Sequence, residues 1–145
     1  MSKMVGKKVF CKTIPKAKIE DIIPAMESTF DRYHTKALIL HIGSKSISNQ
    51  SVESTIREME NMLSEIKLLL PETKIAISGC VATSGSNALQ IPYLNQEVRV
   101  LCRKLGIQYI NNTNIPSTCH KDAILDDRGS LRLSNNMAQN LKIQL

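Results

Sequence analysis

The sequence predicts an α/β fold in which a parallel sheet is covered by helices on both faces. Three observations lead to this prediction. Short apolar segments such as ALILHI at 37–42 and KIAISG at 74–79 are typical of strands that are buried on both sides. Longer segments with apolar residues every three or four positions separate them, as amphipathic helices do. Strands and helices that alternate in this way usually form parallel sheets with right-handed crossovers.

Two strands and one helix are predicted before residue 43. KKVFCK at 7–12 is a short strand candidate, and ALILHI at 37–42 is the second strand. Between them, residues 19–30 carry apolar side chains at helical spacing. Pro24 lies inside this pattern, and it predicts a kink or a restart of the helix because proline lacks the backbone N–H.

The clearest helix of the chain is predicted over 51–71. Ser51 is a suitable N-cap, and Pro71 ends the pattern. Glu53 in the first turn suits the positive end of the helix dipole. The apolar residues step by three or four and therefore share one stripe: Val52, Ile56, Met59, Leu63, Ile66 and Leu70.

The second half of the chain continues the alternation. KIAISG at 74–79 is a strand, residues 93–106 form a helix, and IQYIN at 107–111 is the last strand. Gly106 occupies the position after the helix where a left-handed residue is favoured. The inward positions of this helix are Leu94, Val98, Leu101 and Leu105.

The C-terminal part is predicted to be a polar loop at 111–133 and a short closing helix. Ser134 is the N-cap candidate of that helix, and Met137, Leu141 and Leu145 face inward. In parallel sheets, ligands bind beyond the carboxyl ends of the strands. The loops that merit attention are therefore 13–18, 43–49, 79–87 and the segment from 111 onward.

Composition limits the classes of function. A chain of 145 residues is most simply one domain, here taken as 1–145. The net charge of +6 permits an anionic partner, but lysine and arginine are spread along the chain without a basic stripe or interleaved aromatics. A solvated basic surface is therefore favoured over a nucleic-acid groove.

The surroundings of the protein are predicted to be intracellular and cytoplasmic. The four cysteines are far apart and show no CxxC spacing, and MSKMVGKKVF has no apolar segment before its lysines. The longest apolar runs fall far short of a membrane span, so no membrane association is expected.

The loop GSKS at 43–46 resembles the end of a phosphate-binding P-loop. That motif requires a glycine directly before the lysine, whereas here Ser44 precedes Lys45. The following helix begins only near Ser51, which is too far along the chain for its N-terminus to hold the same phosphate. The residues therefore argue against a P-loop.

Other chemistries receive weaker support. His41 lies within a strand, and a hydrogen-bonded structural histidine is the default interpretation. Cys119 and His120, with Asp122 nearby, make a poor zinc signal because no further ligands follow at regular spacing. Neither a metal nor a cofactor is predicted. A hydrolase triad could draw on loop residues, although nothing in their spacing selects them: Ser44 or Ser46, His120, and Asp126 or Asp127.

Five stretches together carry a resemblance to a known family. They are VFCKTIPKAKIEDI at 9–22, ALILHIGSKSI at 37–47, PETKIAISGCVATSGS at 71–86, LNQEVRVLCRKLGIQYINN at 94–112 and LRLSNNMAQNLKIQL at 131–145. In order and pattern the chain resembles the SGNH, or GDSL-type, hydrolases. It is most similar to the esterase-like domains of invertebrate genomes and of some retroelement open reading frames. The resemblance implies a flavodoxin-like, three-layer α/β/α fold with a parallel sheet.

The first two functional blocks of that family are missing or altered. The family carries its nucleophile in a Gly-Asp-Ser loop after the first strand, and this sequence contains no Gly-Asp-Ser. By this comparison the chain begins at about the family's second strand, so it is expected to lack the first strand and to be N-terminally incomplete. The second block supplies a glycine to the oxyanion hole, and Lys16 stands at that position in PKAK.

The third and fourth blocks are also altered. The third block of the family is Gly-x-Asn-Asp, where Gly43 is retained, Lys45 stands at the asparagine and Ser46 at the aspartate. The fourth is Asp-x-x-His-Leu, where Arg132 stands at the histidine and Gly129 falls at the aspartate.

These differences predict a non-catalytic domain, either a pseudoenzyme or a retroelement-derived remnant. A guanidinium remains protonated and cannot act as a base, and loss of one oxyanion donor alone costs about a hundredfold in rate. Two alternatives remain. One is an esterase acting on small acyl or acetyl esters, if an upstream segment supplies the nucleophile. The other is a basic module that binds an anionic small molecule or a nucleic acid.

Two structural hypotheses arise from the resemblance. Lys16, Lys45 and Arg132 should meet Gly43, Ser44 and Ser46 in a degenerate active-site cleft at one end of the sheet, where the cations would bind a phosphate or carboxylate. The absent first strand would lie between KKVFC and ALILHI, and an open edge there would favour self-association.

Overall fold

The computed structural model describes residues 18–29, 35–81, 88–115, 120–121, 124–125 and 127–144. Three strands form one parallel sheet in the order β1 (Ala37–His41), β2 (Lys74–Ser78) and β3 (Gln108–Ile110). The predicted α/β class with a parallel sheet is therefore confirmed. The strand candidate at 7–12 lies outside the described residues. The predicted gap between that strand and β1 therefore stays a prediction.

Four α-helices accompany these strands in the described ranges. They are α1 (Ile22–Thr29), α2 (Val52–Leu69), α3 (Gln90–Leu105) and α4 (Asp127–Gln144). The side chain of Ser51 caps α2, since its oxygen accepts a hydrogen bond from the backbone N–H of Ser54 at 3.1 Å. Gly106 ends α3 with a φ of 68°, as the sequence predicts.

Pro24 does not break its helix. A 3₁₀ turn at Ile19–Asp21 leads into α1, so the change of helix type occurs before the proline. Pro24 then lies in the first turn of α1, where a backbone N–H has no partner within the helix in any case. Of the two predicted outcomes, the restart occurs, at Ile22 two residues before the proline.

The side chains of the strands alternate between two cores. Leu38 and Ile77 pack into the larger core, together with the other strand residues that point to the same face, Leu40 and Ile75. Helices α1, α2 and α3 also contribute side chains to this core. On the opposite face, Ala76 packs against Met137 of α4, together with Ile39 and Ile110. Helices thus cover the sheet on both sides, which is the three-layer arrangement.

The C-terminal region contains more regular structure than the predicted loop at 111–133. An antiparallel pair, β4 (His120–Lys121) with β5 (Ile124–Leu125), precedes α4. The helix begins at Asp127, well before the N-cap candidate Ser134. Its first turns carry mainly exposed residues, including Leu131 at 63% exposure, so they lack the apolar periodicity that would have revealed a helix.

The helix α3 likewise begins earlier than the pattern indicates. It starts at Gln90 and includes Ile91, whose side chain is buried, and Pro92 in its first turn. Proline is tolerated there because the N–H it lacks would be unbonded. None of the helices in the described ranges is long and apolar enough to span a membrane.

Candidate functional site

The carboxyl ends of the three strands bring polar side chains together on the α4 side of the sheet. His41 ends β1 and is paired in register with Ser78, which ends β2. Because strand side chains alternate, both point to the same face as Ile39 and Ala76, which pack against α4. Asn112 follows β3 and reaches the same place. None of these three residues was selected as a site residue from the sequence.

A network of side-chain amides fills the space beneath α4. The amide nitrogen of Asn112 donates to Ser78 Oγ at 2.8 Å and to the carbonyl oxygen of Gly79 at 2.6 Å. Its oxygen accepts from Asn136 Nδ2 at 2.8 Å. Asn136 also exchanges two hydrogen bonds with Asn114, at 2.8 and 3.0 Å. Asn112 is only 3% exposed, so its polar atoms depend on these partners.

His41 and Ser78 have the spacing of a base and a nucleophile. Nδ1 of the imidazole lies 3.0 Å from Ser78 Oγ, which is within reach for proton transfer. Ser78, however, is fully buried. Its hydroxyl cannot meet a substrate, and it already accepts a hydrogen bond from Asn112. The pair therefore has the geometry of a dyad whose imidazole is exposed but whose hydroxyl is closed to an ester.

The surroundings of the imidazole shift its proton equilibrium. Desolvation by the surrounding groups lowers the pKa of His41 although the residue is exposed, and hydrogen bonding to Ser78 is a smaller effect in the opposite direction. At neutral pH the ring is therefore neutral, and its Nδ1 can accept a hydrogen bond from the Ser78 hydroxyl.

We expect the stability of the protein to decline as the pH falls below 6.5, the ordinary pKa of this side chain. Since the folded state protonates His41 at a lower pH than the unfolded chain does, the unfolded state binds more protons in that interval. Thermal unfolding of the wild type and of His41→Gln, at about pH 7.5 and pH 5.5, measures this effect. The wild type should lose more stability than the variant, and equal losses would contradict the assignment.

The loop at 43–46 makes a tight turn after β1. Gly43 is buried and has a φ of 119°, a conformation that favours glycine. Ser44 and Lys45 are exposed, whereas Ser46 is only 5% exposed and begins a 3₁₀ turn. The N-terminus of α2, which follows this loop, is capped by Ser51.

The other predicted site residues are more widely separated. Arg132 is exposed on α4, and its guanidinium donates to the carbonyl oxygen of Asn114 at 2.5 Å, beyond the end of β3. Lys45 follows β1, on the other side of the described sheet. Lys16 lies outside the described residues. A cleft shared by these three cations therefore stays a prediction.

Cys80 anchors the loop after β2 without being reactive. Its backbone N–H and carbonyl both bond the side-chain amide of Asn95, each at 2.9 Å. Burial raises the pKa of the Cys80 thiol to about 12, and that of Cys102 to about 11. Both thiols stay protonated at neutral pH and are poor nucleophiles. Within the described ranges, no group of three His, Cys, Asp or Glu side chains could hold a metal ion.

Comparison with known proteins identifies the fold. No protein-family model matches the sequence, and no curated protein does. Among solved structures, an inferred acylhydrolase from Bacteroides fragilis NCTC 9343 matches with a TM-score of 0.63 and 12% identity over 73% of this chain. The chain spans 61% of that protein.

A second solved structure matches over nearly the whole length. It is the esterase domain of the ORF1 protein from the zebrafish ZfL2-1 retrotransposon, with a TM-score of 0.58 and 18% identity. The match covers 99% of this chain and 90% of that domain. At such identities the likeness shows the fold alone, which this chain shares with these two proteins.

Proposed function

We propose that this chain is a non-catalytic domain with the architecture of an SGNH-type esterase. The observation that carries the proposal is the burial of Ser78. Ser78 has a histidine, His41, at hydrogen-bond distance, and it is 0% exposed. An enzyme of this type needs a hydroxyl that the substrate can reach.

The positions that resemble the family's catalytic blocks support the same conclusion. Arg132 stands where the general base would be, and its guanidinium donates a hydrogen bond to the Asn114 carbonyl. It cannot accept a proton. Lys45 replaces the amide that would stabilise the oxyanion. A nucleophile supplied by an upstream segment would therefore still lack its base, which weakens the alternative of an active esterase.

We further propose that the domain derives from a retroelement. The similarity to the zebrafish retrotransposon domain extends over 99% of this chain, which is more than the 73% covered by the bacterial neighbour. Survival of the hydrophobic cores without the chemistry is what loss of selection on catalysis alone would leave. The alternatives remain an ester hydrolase of small acyl or acetyl esters and a basic module for anions or nucleic acid.

Incubation of the purified chain with p-nitrophenyl acetate and with an acetylated sugar tests the proposal. We expect release of nitrophenol and acetate at the rate given by the same concentration of heat-denatured chain, because Ser78, the serine that contacts His41, is buried. Mass spectrometry after treatment with a fluorophosphonate should likewise find no serine adduct.

The variant Ser78→Ala serves as the matched control. If the wild type turned over either ester above the denatured sample, the proposal would be wrong. If that turnover also disappeared in Ser78→Ala, the buried pair would be the active dyad, and the site would have to open in solution.

A further inference from the structure

We infer that a groove between α3 and the loop after β3 binds an organic anion that carries a phosphate or carboxylate together with an apolar group. The groove encloses about 640 Å³, a volume in the range of small-molecule sites. We call it the arginine groove. Its described lining includes Pro92, Gln96, Arg99, Val100, Arg103 and Asn111.

The arginine groove opens at the edge of the sheet where ligands are expected. Cys80, after β2, and Asn111, after β3, both line it. Parallel sheets bind ligands at the carboxyl ends of neighbouring strands in this way. The loop at 43–46 and Arg132 are not among its described lining residues, whereas Asn112 of the amide network is.

Two arginines supply the charge of the groove. Arg99 and Arg103 lie one turn apart on α3 and therefore share a face. Neither has a carboxylate partner among the described residues, whereas their neighbour Lys104 is paired with Glu60 at 2.6 Å. No acidic residue lines the groove in the described part of the chain. The local charge is thus complementary to an anion.

One of these cations is already held in position. The guanidinium carbon of Arg99 lies 5.2 Å from the centre of the Tyr109 ring, a cation–π distance. This contact reduces the freedom of the side chain before any ligand arrives, and less entropy is lost on binding. Planar guanidinium groups match the two oxygens of a carboxylate or phosphate.

The remaining lining indicates the rest of the ligand. Val100 is 53% exposed, and Pro92, about two turns earlier on α3, is also exposed, so an apolar group has a surface to cover. On the facing loop, Asn111 uses its side-chain oxygen to accept from the Thr113 backbone at 2.8 Å. Its amide nitrogen remains a donor for the ligand.

A single-stranded nucleic acid fits the described groove less well. Such ligands stack their bases on exposed aromatic rings. Tyr109 is covered by Arg99, and the hydroxyl of the nearby Tyr93 is bonded to Glu53 at 2.8 Å. The chemistry therefore favours a compact organic anion.

NMR titration of the ¹⁵N-labelled chain with phenyl phosphate, benzoate and inorganic phosphate tests the inference. We expect phenyl phosphate or benzoate to shift the backbone amides of 99–103 and 111–113. Inorganic phosphate should bind at least about tenfold more weakly because it has no apolar group. The first two probes distinguish a phosphate from a carboxylate head group.

Paired variants locate the site. Arg103→Ala and the double variant Arg99→Ala/Arg103→Ala should weaken binding by about tenfold or more. Lys104→Ala removes the same charge from the adjacent position outside the groove and should change affinity less than about twofold. Circular dichroism would establish that each variant is folded, and Arg103→Ala leaves the Tyr109 contact intact.

Four outcomes would overturn the inference. They are no shift with any of the three anions, shifts centred on residues 43–46, equal weakening in Arg103→Ala and Lys104→Ala, and salt-sensitive binding of a thymidine oligonucleotide alone. None of these results bears on ester hydrolysis, so this inference and the proposed loss of catalysis can fail separately.

Discussion

Replacement of Asn112 by alanine is expected to lower the free energy of unfolding by about 3 kcal/mol. The side chain donates to Ser78 Oγ and Gly79 O and accepts from Asn136 Nδ2. Its removal takes one hydrogen bond from each of these three partners, and the space around Ser78 is closed to water because that residue is fully buried. Urea denaturation followed by circular dichroism measures the loss.

The adjacent Asn111 provides the matched control for this experiment. Its side chain is exposed and accepts one local hydrogen bond, from the Thr113 backbone. Asn111→Ala is therefore expected to cost less than about 1 kcal/mol. If the two variants lost the same stability, the buried amide network would not be the element that joins the three strand ends to α4.

Gly79→Ala is expected to lower the free energy of unfolding by about 2 to 3 kcal/mol, as overpacking of a core does. A methyl group at this position would lie 2.2 Å from Tyr109 Oη and 2.8 Å from Tyr109 Cζ. The half-buried Tyr109 ring would have to move, and its cation–π contact with the Arg99 guanidinium would then be lost. Chemical denaturation of the variant measures this cost.

A double-mutant cycle isolates the physical cause. In a Tyr109→Ala background the same glycine substitution should be cheaper by at least about 1 kcal/mol, because the clashing atoms are gone. Gly106→Ala is the comparison: it has a φ of 68° but no heavy atom within 4 Å of the added carbon. Its cost of about 1 kcal/mol comes from the backbone alone and should not depend on Tyr109. Strict additivity at Gly79 would refute the steric explanation.

The α/β class is encoded in local patterns. Apolar strands and amphipathic helices are decided by residues close in sequence, and the N-cap Ser51 and the terminal Gly106 are equally local signals. The hydrophobic pattern gave wrong helix boundaries where the structure of a segment is not decided by its own residues. The first turns of α4 are largely exposed, so their helical state depends on the packing of the later turns, and Pro24 is harmless because of where the helix starts.

The candidate sites depend on contacts between distant segments. Ser78 and Asn112 are 34 residues apart, and Asn112 and Asn136 are 24 apart. Asparagines at 111–114 and 135–136 resemble loop residues until the sheet register and the packing of α4 place them together. Arg99 and Arg103 likewise resemble an ordinary solvated helix face, and the groove beside them exists because β3 lies next to α3.

The sequence alone thus determined which segments are buried, their order along the chain, and whether each is a strand or a helix. It could do so because hydrophobic periodicity is a property of a single segment. Which polar groups meet was decided only on folding. A hydrogen bond requires two atoms about 3 Å apart, and such a distance between β2, β3 and α4 is set by strand pairing and helix packing. That is why the sequence did not single out Ser78, which is buried against the side-chain amide of Asn112, or the arginines of α3 that line a groove.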